Sequence, residues 1–188
     1  PLRQPYAVVT YHPVTLATEV PESAFQALLD ALEQFPQLQI IITYPNADDG
    51  GRRIIPLLEA YAAGQPERVL AIPSLGQVRY LSAIKHAAVV IGNSSSGIIE
   101  VPAMDVPTVN IGMRQKGRLA AKSVLHCDAD TASIQKAISA ALKREYKLAD
   151  EKIHNPYGQG DASRQVIQML KSLSFNAVKT FHDVKVSE

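Results

Sequence analysis

The segment Leu38–Tyr44, with the sequence LQIIITY, is the feature that most limits the possible folds of this chain. It is a continuous apolar run rich in β-branched residues, and such runs are typical of strands in parallel sheets, which are buried on both faces. Pro36 precedes the run, and a turn rich in polar and glycine residues follows it at 45–51. The sequence therefore predicts a strand inside a parallel sheet.

Segments with the apolar spacing of helices alternate with further short β-prone runs. Strands are predicted at 6–11, 38–44, 68–72, 89–91, 107–111 and 124–127, and helices at about 22–35, 54–64, 81–87, 98–104, 131–142 and 161–170. This alternation favours an α/β fold with a doubly wound parallel sheet. We expect one domain, residues 1–175, followed by a tail at 176–188.

Composition limits the possible partners. The chain has 188 residues, of which 46% are hydrophobic and 20% charged, enough for one globular core. A net charge of +1 predicts no binding to nucleic acid or to a membrane surface, and no stretch approaches the roughly 20 apolar residues of a membrane span. The single cysteine, Cys127, cannot form an internal disulfide, which favours the cytoplasm, and we expect it to be a buried, inert thiol. The first residue is Pro1 and not Met, which suggests a piece of a longer protein.

The most informative turn, Gly92-Asn93-Ser94-Ser95-Ser96-Gly97, follows the predicted strand at 89–91. The first N–H groups of the helix predicted after it lack internal acceptors. Together with the helix dipole and the serine hydroxyls, they form a site for an anion, preferably phosphate. Glu100 is expected in the first helical turn, where its carboxylate can accept hydrogen bonds from a ribose diol. The alternative is that the serines only cap the helix and Glu100 faces water.

Polar residues also follow other predicted strands: His12, Asn46, Ser74 and Arg114. Ligands of such folds bind beyond the carboxyl ends of the strands. Each residue alone has a structural alternative, such as a turn-forming asparagine or a surface arginine. Their joint placement on one edge favours a ligand site. No set of His, Cys and carboxylate residues has the spacing of metal ligands, so neither a metal nor a cofactor is predicted.

Five motifs in this order are similar to the carboxyl-terminal half of UDP-N-acetylglucosamine 2-epimerases, over about residues 7–170. They are His-Pro-Val-Thr at 12–15, Tyr-Pro-Asn-Ala-Asp at 44–48, Gly-Asn-Ser-Ser-Ser-Gly-Ile-Ile-Glu-Val at 92–101, Asn-Ile-Gly at 110–112 with Arg114-Gln115 and Gly117-Arg118, and Asn-Pro-Tyr-Gly at 155–158. Two features resemble the hydrolysing branch of this family: the His-Pro-Val-Thr motif, and the Arg-Gln pair together with the Gly-Arg pair. That branch makes free N-acetylmannosamine and UDP for sialic acid synthesis.

The resemblance implies a Rossmann-like domain that forms the second, UDP-binding half of a GT-B arrangement. It implies that Ser94 and Ser95 bind phosphate, that Glu100 holds the ribose and that the backbone of Leu75 meets the uracil edge. It places His12 on the diphosphate and sugar side of the cleft, with a supporting catalytic role. The implied residues that bind UDP or UDP-N-acetylglucosamine are His12, Asn46, Leu75, Ser94, Ser95, Glu100 and Arg114.

The implied reaction eliminates UDP across C1 and C2 of the sugar and then adds water with inversion at C2. The main acid and base carboxylates of the family lie in an amino-terminal half, which this chain lacks. We therefore expect the isolated chain to bind UDP without turnover, and the full-length enzyme to be a homo-oligomer. Two other classes stay open: a stand-alone UDP-sugar binding or regulatory module, and the nucleotide-binding domain of a glycosyltransferase.

Overall fold

The computed structural model describes residues 5–14, 20–46, 50–148, 151–158 and 160–174. Within these residues, six parallel strands form one sheet in the order β3-β2-β1-β4-β5-β6. The strands are β1 (Tyr6–Thr10), β2 (Gln39–Thr43), β3 (Val69–Ile72), β4 (Val89–Gly92), β5 (Thr108–Ile111) and β6 (Val124–Cys127). This is the strand order of the Rossmann fold, so the predicted fold class is confirmed.

The register of the sheet brings the carboxyl ends of the three central strands together. Thr10, the last residue of β1, lies beside Thr43 of β2 on one side and Gly92 of β4 on the other. The strand order reverses between β1 and β4, since β2 and β3 lie on one side of β1 while β4, β5 and β6 lie on the other. Such a reversal opens a crevice beyond the strand ends, where ligands of this fold bind.

Helices cover both faces of the sheet. They are α1 (Pro21–Leu32), α2 (Gly51–Gly64), α3 (Gly76–Lys85), α4 (Ser96–Ile99) and α5 (Thr131–Leu142), with a 3-10 turn at Val101–Met104; one further helix, α6 (Ala162–Ser172), follows in the sequence. On one face, side chains of α1, α2 and α5 such as Phe25 and Ile138 pack against Val9. On the other face, Ile84 of α3 and the 3-10 turn pack against Val8. Burial of each such side chain stabilises the fold by about 1.5–3 kcal/mol. Packing on both faces therefore holds the sheet between two layers of helices.

At two helix ends, side chains form hydrogen bonds with backbone groups. The carboxylate of Asp130 accepts a hydrogen bond of 2.9 Å from the Ser133 amide in the first turn of α5 and so caps this helix. Helix α1 ends at Leu32 and not at Phe35 as predicted. Arg68 donates to the carbonyls of Leu32 and Phe35, at 2.6 and 3.3 Å. The same two carbonyls also accept backbone hydrogen bonds from the N–H groups of Phe35 and Leu38, so Arg68 adds a second donor to each.

The predicted helix at 98–104 is wrong. The chain forms the four-residue α4 and then the 3-10 turn. Pro102 explains the break, because proline has no N–H for the helical hydrogen bond and disfavours helical backbone at the residue before it. Glu100 therefore follows the last residue of α4, and its expected place in a first helical turn is also wrong.

Helix α6 belongs to a second compact unit, which begins at Gly158, whereas the first unit ends at Tyr157. Its apolar residues Val166, Ile167 and Leu170 are each more than half exposed. The predicted domain boundary at 175 and the tail at 176–188 lie outside the described residues and stay predictions. None of the described helices is both long and apolar enough to cross a membrane.

Candidate functional site

A groove of about 390 Å³ lies at the carboxyl ends of the central strands. This volume is in the range of small-molecule sites. The groove holds three of the residues predicted to bind a ligand, His12, Leu75 and Glu100. Its lining residues are Thr10, His12, Thr43, Tyr44, Pro73, Ser74, Leu75, Gly76, Gln77, Tyr80, Ser96 and Glu100.

His12 is held by hydrogen bonds from the segments after β2 and β4. Its backbone N–H donates to Oδ1 of Asn93 at 2.8 Å, and Nδ2 of Asn93 donates to the His12 carbonyl at 2.7 Å. The backbone N–H of Asn46 donates to Nδ1 of the imidazole at 3.1 Å. A ring nitrogen that accepts a hydrogen bond carries no proton, so the proton of the neutral ring is on Nε2. His12 is therefore a hydrogen-bond donor through Nε2.

Asn46 contributes to the groove through its backbone. Asn46 does not line the groove, so its predicted ligand contact stays a prediction, and its N–H orients the His12 ring. Gly51 explains the close turn at this point, because a Cβ atom there would lie 2.5 Å from the Asn46 carbonyl oxygen. The turn after β2 thus fixes the ring from one side.

The three serines after β4 take different positions. Ser96 lines the groove, whereas Ser94 lines a small cavity of about 10 Å³ beside Gly97 and Thr108. Ser94 Oγ accepts a long hydrogen bond of 3.4 Å from the Ser96 amide. Within the described residues, the amides of Ser94 and Ser95 donate to no protein acceptor.

These free N–H groups can bind an anion, but the reason differs from the one expected from the sequence. Helix α4 has four residues, so its aligned peptide dipoles are few. Binding at this turn depends on individual N–H and O–H donors instead. The predicted phosphate contacts of Ser94 and Ser95 stay predictions, and Ser96 is the serine that the structure brings to the groove.

Glu100 is exposed and lines the groove across from the turn after β3. The backbone before it is held in place, because Nδ2 of the buried Asn155 donates to the Ile99 carbonyl at 2.9 Å. An ionised carboxylate has only acceptor atoms, so Glu100 suits a ligand with neighbouring hydroxyl groups.

The turn after β3 forms the opposite wall. Leu75 flanks the start of α3, and Gly76 follows it with a positive φ of 64°. Ser74 Oγ accepts a hydrogen bond of 3.1 Å from the Gly76 amide, which fixes the turn. The main chain of this segment is thus held at the groove, where the resemblance predicts the base edge of a nucleotide.

Arg114 lies outside the groove lining and contacts the site through Asn93. Its Nη1 donates to the Asn93 carbonyl at 3.1 Å, and Nε2 of Gln115 donates to the same oxygen at 2.8 Å. The structure therefore links Arg114 to His12 through one intervening residue. A direct ligand contact by Arg114 stays a prediction.

Sequence reasoning missed three residues of the site. Asn93 was treated as a turn residue and Gln115 only as part of a motif, although both are almost fully buried. Tyr80 of α3 lines the groove beside Thr10 and Ser96. Burial raises the pKa of Tyr80, and the nearby Glu100 adds to this effect, so its phenol is protonated at neutral pH. The position of Asn93 directly after a buried strand was the available signal.

In the part of the chain that the structure describes, no three His, Cys, Asp or Glu residues lie close enough together to hold a metal ion. A second cavity of about 380 Å³ lies beyond β5 and β6, where His126 Nδ1 is 3.0 Å from Nδ2 of Asn110. Cys127 also lines it and is only partly buried, whereas the sequence predicts a buried thiol.

Comparison with known proteins identifies the family. The family model described as UDP-N-acetylglucosamine 2-epimerase matches residues 2–171. The chain is 35% identical over 140 residues to the GDP/UDP-N,N'-diacetylbacillosamine 2-epimerase (hydrolyzing) of Campylobacter jejuni, covering 74% of this chain and 36% of that protein. It is 32% identical over 183 residues to the UDP-N-acetylglucosamine 2-epimerase of Neisseria meningitidis, covering 96% of this chain and 48% of the relative.

A solved structure shows the same fold. The UDP-GlcNAc 2-epimerase from Neisseria meningitidis bound to UDP-GlcNAc superposes with a TM-score of 0.66 and 17% identity, over 92% of this chain and 46% of that chain. The present chain spans less than half the length of each of these relatives. The family model covers nearly all of the chain, so the chain belongs to the UDP-N-acetylglucosamine 2-epimerase family.

Proposed function

We propose that the chain is the UDP-binding, carboxyl-terminal half of a hydrolysing UDP-N-acetylglucosamine 2-epimerase. The whole enzyme would convert UDP-N-acetylglucosamine and water to N-acetylmannosamine and UDP, for sialic acid synthesis. The observation that carries the proposal is the groove at the carboxyl ends of the central strands, where an imidazole, a serine and a carboxylate lie at one sheet edge. Membership of the epimerase family supports it.

The donors in the groove and in the serine turn beside it suit a diphosphate. His12 Nε2–H and the free amides of Ser94 and Ser95 supply N–H groups to anionic oxygens, and such charge-assisted hydrogen bonds are about twice as strong as neutral ones. Glu100 accepts from the ribose diol, and the main chain at Leu75 meets the uracil edge. UDP is thus bound along the strand ends, with its diphosphate at the turn after β4.

Each proposed contact assists the departure of UDP. The reaction breaks the bond between C1 and the diphosphate oxygen and removes the proton from C2, and negative charge increases on the diphosphate as it leaves. N–H donors aimed at those oxygens stabilise that charge. The base that accepts the C2 proton belongs to an amino-terminal domain, since the chain spans less than half of its relatives. The second half of a GT-B arrangement needs that partner to close its cleft.

The hydrolysing branch is supported by two observations. The His-Pro-Val-Thr segment at 12–15 and the Arg-Gln and Gly-Arg pairs at 114–118 resemble that branch. The Campylobacter relative is also named as a hydrolysing enzyme. We infer that the complete protein releases free sugar and acts as a homo-oligomer in the cytoplasm.

The same relative favours a second substrate. Its name assigns it a nucleotide-linked N,N'-diacetylbacillosamine, a sugar with two acetamido groups. UDP is common to both substrates, so the groove described here does not discriminate between them. Turnover of the full-length protein with each substrate decides between the two sugars.

The first experiment is calorimetric titration of the 188-residue chain with UDP, UDP-N-acetylglucosamine and, as controls, ADP and GDP. We expect saturable binding of the two uridine nucleotides, with weaker binding of the purine nucleotides. Absence of saturable UDP binding would reject the proposal. A preference for GDP would also do so, because it would place a different base in the groove.

The second experiment measures N-acetylmannosamine release. We expect none from the 188-residue chain and sustained release from the full-length protein. Sustained release by the isolated chain would contradict the proposal that this chain binds UDP while the catalytic base lies in another domain. UDP binding without any release by the full-length protein favours the binding or regulatory module, and sugar transfer to an acceptor in place of hydrolysis favours the glycosyltransferase.

A further inference from the structure

We propose that Asn93 is a positioning residue for His12: it fixes the backbone of His12, so that the imidazole keeps the Nε2–H tautomer that faces a ligand diphosphate. The diphosphate part of this statement rests on the proposed function. The positioning of the ring does not, and it is measured without any ligand.

The two residues form a reciprocal pair. The carboxamide of Asn93 accepts from the His12 N–H at 2.8 Å and donates to the His12 carbonyl at 2.7 Å. Only a primary amide offers an acceptor and an N–H donor side by side, as this pairing requires. Asn93 is 1% exposed, so water does not compete for these bonds. The N–H and the carbonyl of His12 are thus both paired with one carboxamide, although β1 has already ended.

Asn93 is itself held from two directions. Its own N–H donates to the carbonyl of Thr10, the last residue of β1, at 3.2 Å. Its carbonyl accepts from Arg114 at 3.1 Å and from Gln115 at 2.8 Å. Gln115 is 2% exposed, which places this part of the network in the protein interior. The main chain of Asn93 is therefore fixed from both directions, and its side-chain carboxamide in turn fixes the backbone of His12.

The tautomer of His12 depends on this backbone position. The Asn46 N–H reaches Nδ1 at 3.1 Å, near the long end of the normal range for N–H donors. A small shift of the His12 backbone lengthens this bond beyond that range. The ring then loses the contact that keeps the proton on Nε2, and both neutral tautomers become populated.

The test uses the 188-residue chain labelled with ¹⁵N at histidine, at pH 8, where an ordinary imidazole is neutral. Long-range ¹H–¹⁵N spectra report which ring nitrogen carries the proton. The variants are Asn93→Ala, Asn93→Asp and Asn110→Ala. Asn110→Ala is the matched control, because Asn110 is also a buried asparagine paired with a histidine, His126, on the neighbouring strand. Circular dichroism and thermal melting verify folding, and each variant is titrated with UDP.

In the wild type we expect two well-separated ¹⁵N signals for His12, as in a single tautomer. In Asn93→Ala these signals move toward each other, and the affinity for UDP falls at least tenfold. Asn93→Asp keeps the acceptor for the His12 N–H but places a second acceptor against the His12 carbonyl, and the two oxygens repel, so the His12 signals move in this variant too. If Asn93→Ala does not fold, Asn93→Asp carries the test. In Asn110→Ala only the His126 signals change.

Unchanged His12 signals in folded Asn93 variants overturn the proposal, and so does an equal change of the His12 signals in Asn110→Ala. A wild-type chain that binds no UDP while its His12 signals still depend on Asn93 rejects the proposed function and supports the positioning. Altered signals with unchanged UDP affinity overturn the link between the tautomer and the diphosphate.

Discussion

A Cβ atom on Gly92 would lie 1.9 Å from the carbonyl oxygen of Thr10, its neighbour across the β1–β4 pair. Gly92 also has a φ of 138°, which other residues rarely adopt. We therefore expect Gly92→Ala to lower the free energy of unfolding by about 3 kcal/mol or more, since backbone strain and steric overlap each cost about 1–3 kcal/mol. Urea denaturation followed by circular dichroism measures this change.

Gly64→Ala is the matched control for that variant. Gly64 is the last residue of α2, and a Cβ atom there meets nothing within 4 Å. Alanine favours helical backbone more than glycine does, so we expect the free energy of unfolding to stay the same or to rise by up to about 1 kcal/mol. Equal losses in the two variants would contradict the close approach of β1 and β4.

Glu100→Ala is expected to reduce UDP affinity by about 1–3 kcal/mol, the scale for losing a hydrogen bond to a charged group. The fold stays intact because Glu100 is exposed. Glu100→Ala should change the affinity for 2′,3′-dideoxyuridine diphosphate little, because this nucleotide lacks the diol that Glu100 is proposed to bind. Calorimetric titration gives both affinities. Glu145→Ala removes a similar exposed charge outside the groove and serves as the control; unchanged UDP affinity in Glu100→Ala would remove the ribose assignment.

Cys127 is expected to react slowly with alkylating reagents. Burial raises the pKa of its thiol to about 12, and the carboxylates of Asp128 and Asp130 add to this. The thiolate is the reactive form, so iodoacetamide at pH 7.5 modifies the folded chain at least about 100-fold more slowly than the urea-unfolded chain. Mass spectrometry follows the reaction. Similar rates in the two states would show that the thiol is freely accessible and ionised in the fold.

Asp105→Asn tests a cluster of ion pairs between the segments before β5 and after α5. Burial opposes ionisation of Asp105, but hydrogen bonds from Lys147 and Arg144 outweigh it and lower the pKa of the carboxyl. A lowered folded-state pKa stabilises the fold above the unfolded pKa of about 3.9, and this stabilisation is lost as the pH falls through the folded value. Asp105 has a positive φ of 55°, which asparagine tolerates well.

The Asp105 side chain is 49% exposed, so we expect Asp105→Asn to lower the free energy of unfolding at pH 7 by less than about 1 kcal/mol. Urea denaturation at several pH values measures the difference from the wild type. The difference should shrink toward zero as the pH falls below 4. A difference of the same size at pH 2 and pH 7 would argue against an electrostatic origin.

The strands could be predicted from the sequence because each is a short apolar run. The run at 38–44 contains β2, and the prediction for the last strand gave the observed bounds, Val124–Cys127. A strand buried on both faces needs apolar residues at every position, which is a local property of the sequence. The place of His12 and Glu100 at one edge followed from the topology, since parallel strands end on the same side, whereas Leu75 was implied only by the family resemblance.

The details of the groove depend on contacts between distant residues. Asn93 has an ordinary turn sequence around it, and its role arises from His12, 81 positions earlier. Which of three adjacent serines reaches the groove depends on the turn geometry, and Ser96 does so in the structure. At 98–104 the apolar spacing favours a continuous helix, but Pro102 interrupts the helical hydrogen bonds, and the effect of the proline is the stronger one.

The central claim is that uridine diphosphate binds in the groove at the carboxyl ends of the central strands, which His12, Leu75 and Glu100 line. The most direct measurement is a titration of the ¹⁵N-labelled chain with UDP, followed by amide chemical shifts. We expect saturable changes that are largest at His12, at Leu75 and over the turn at 93–100. Absence of saturable changes, or largest changes around the second cavity near His126, would contradict the claim.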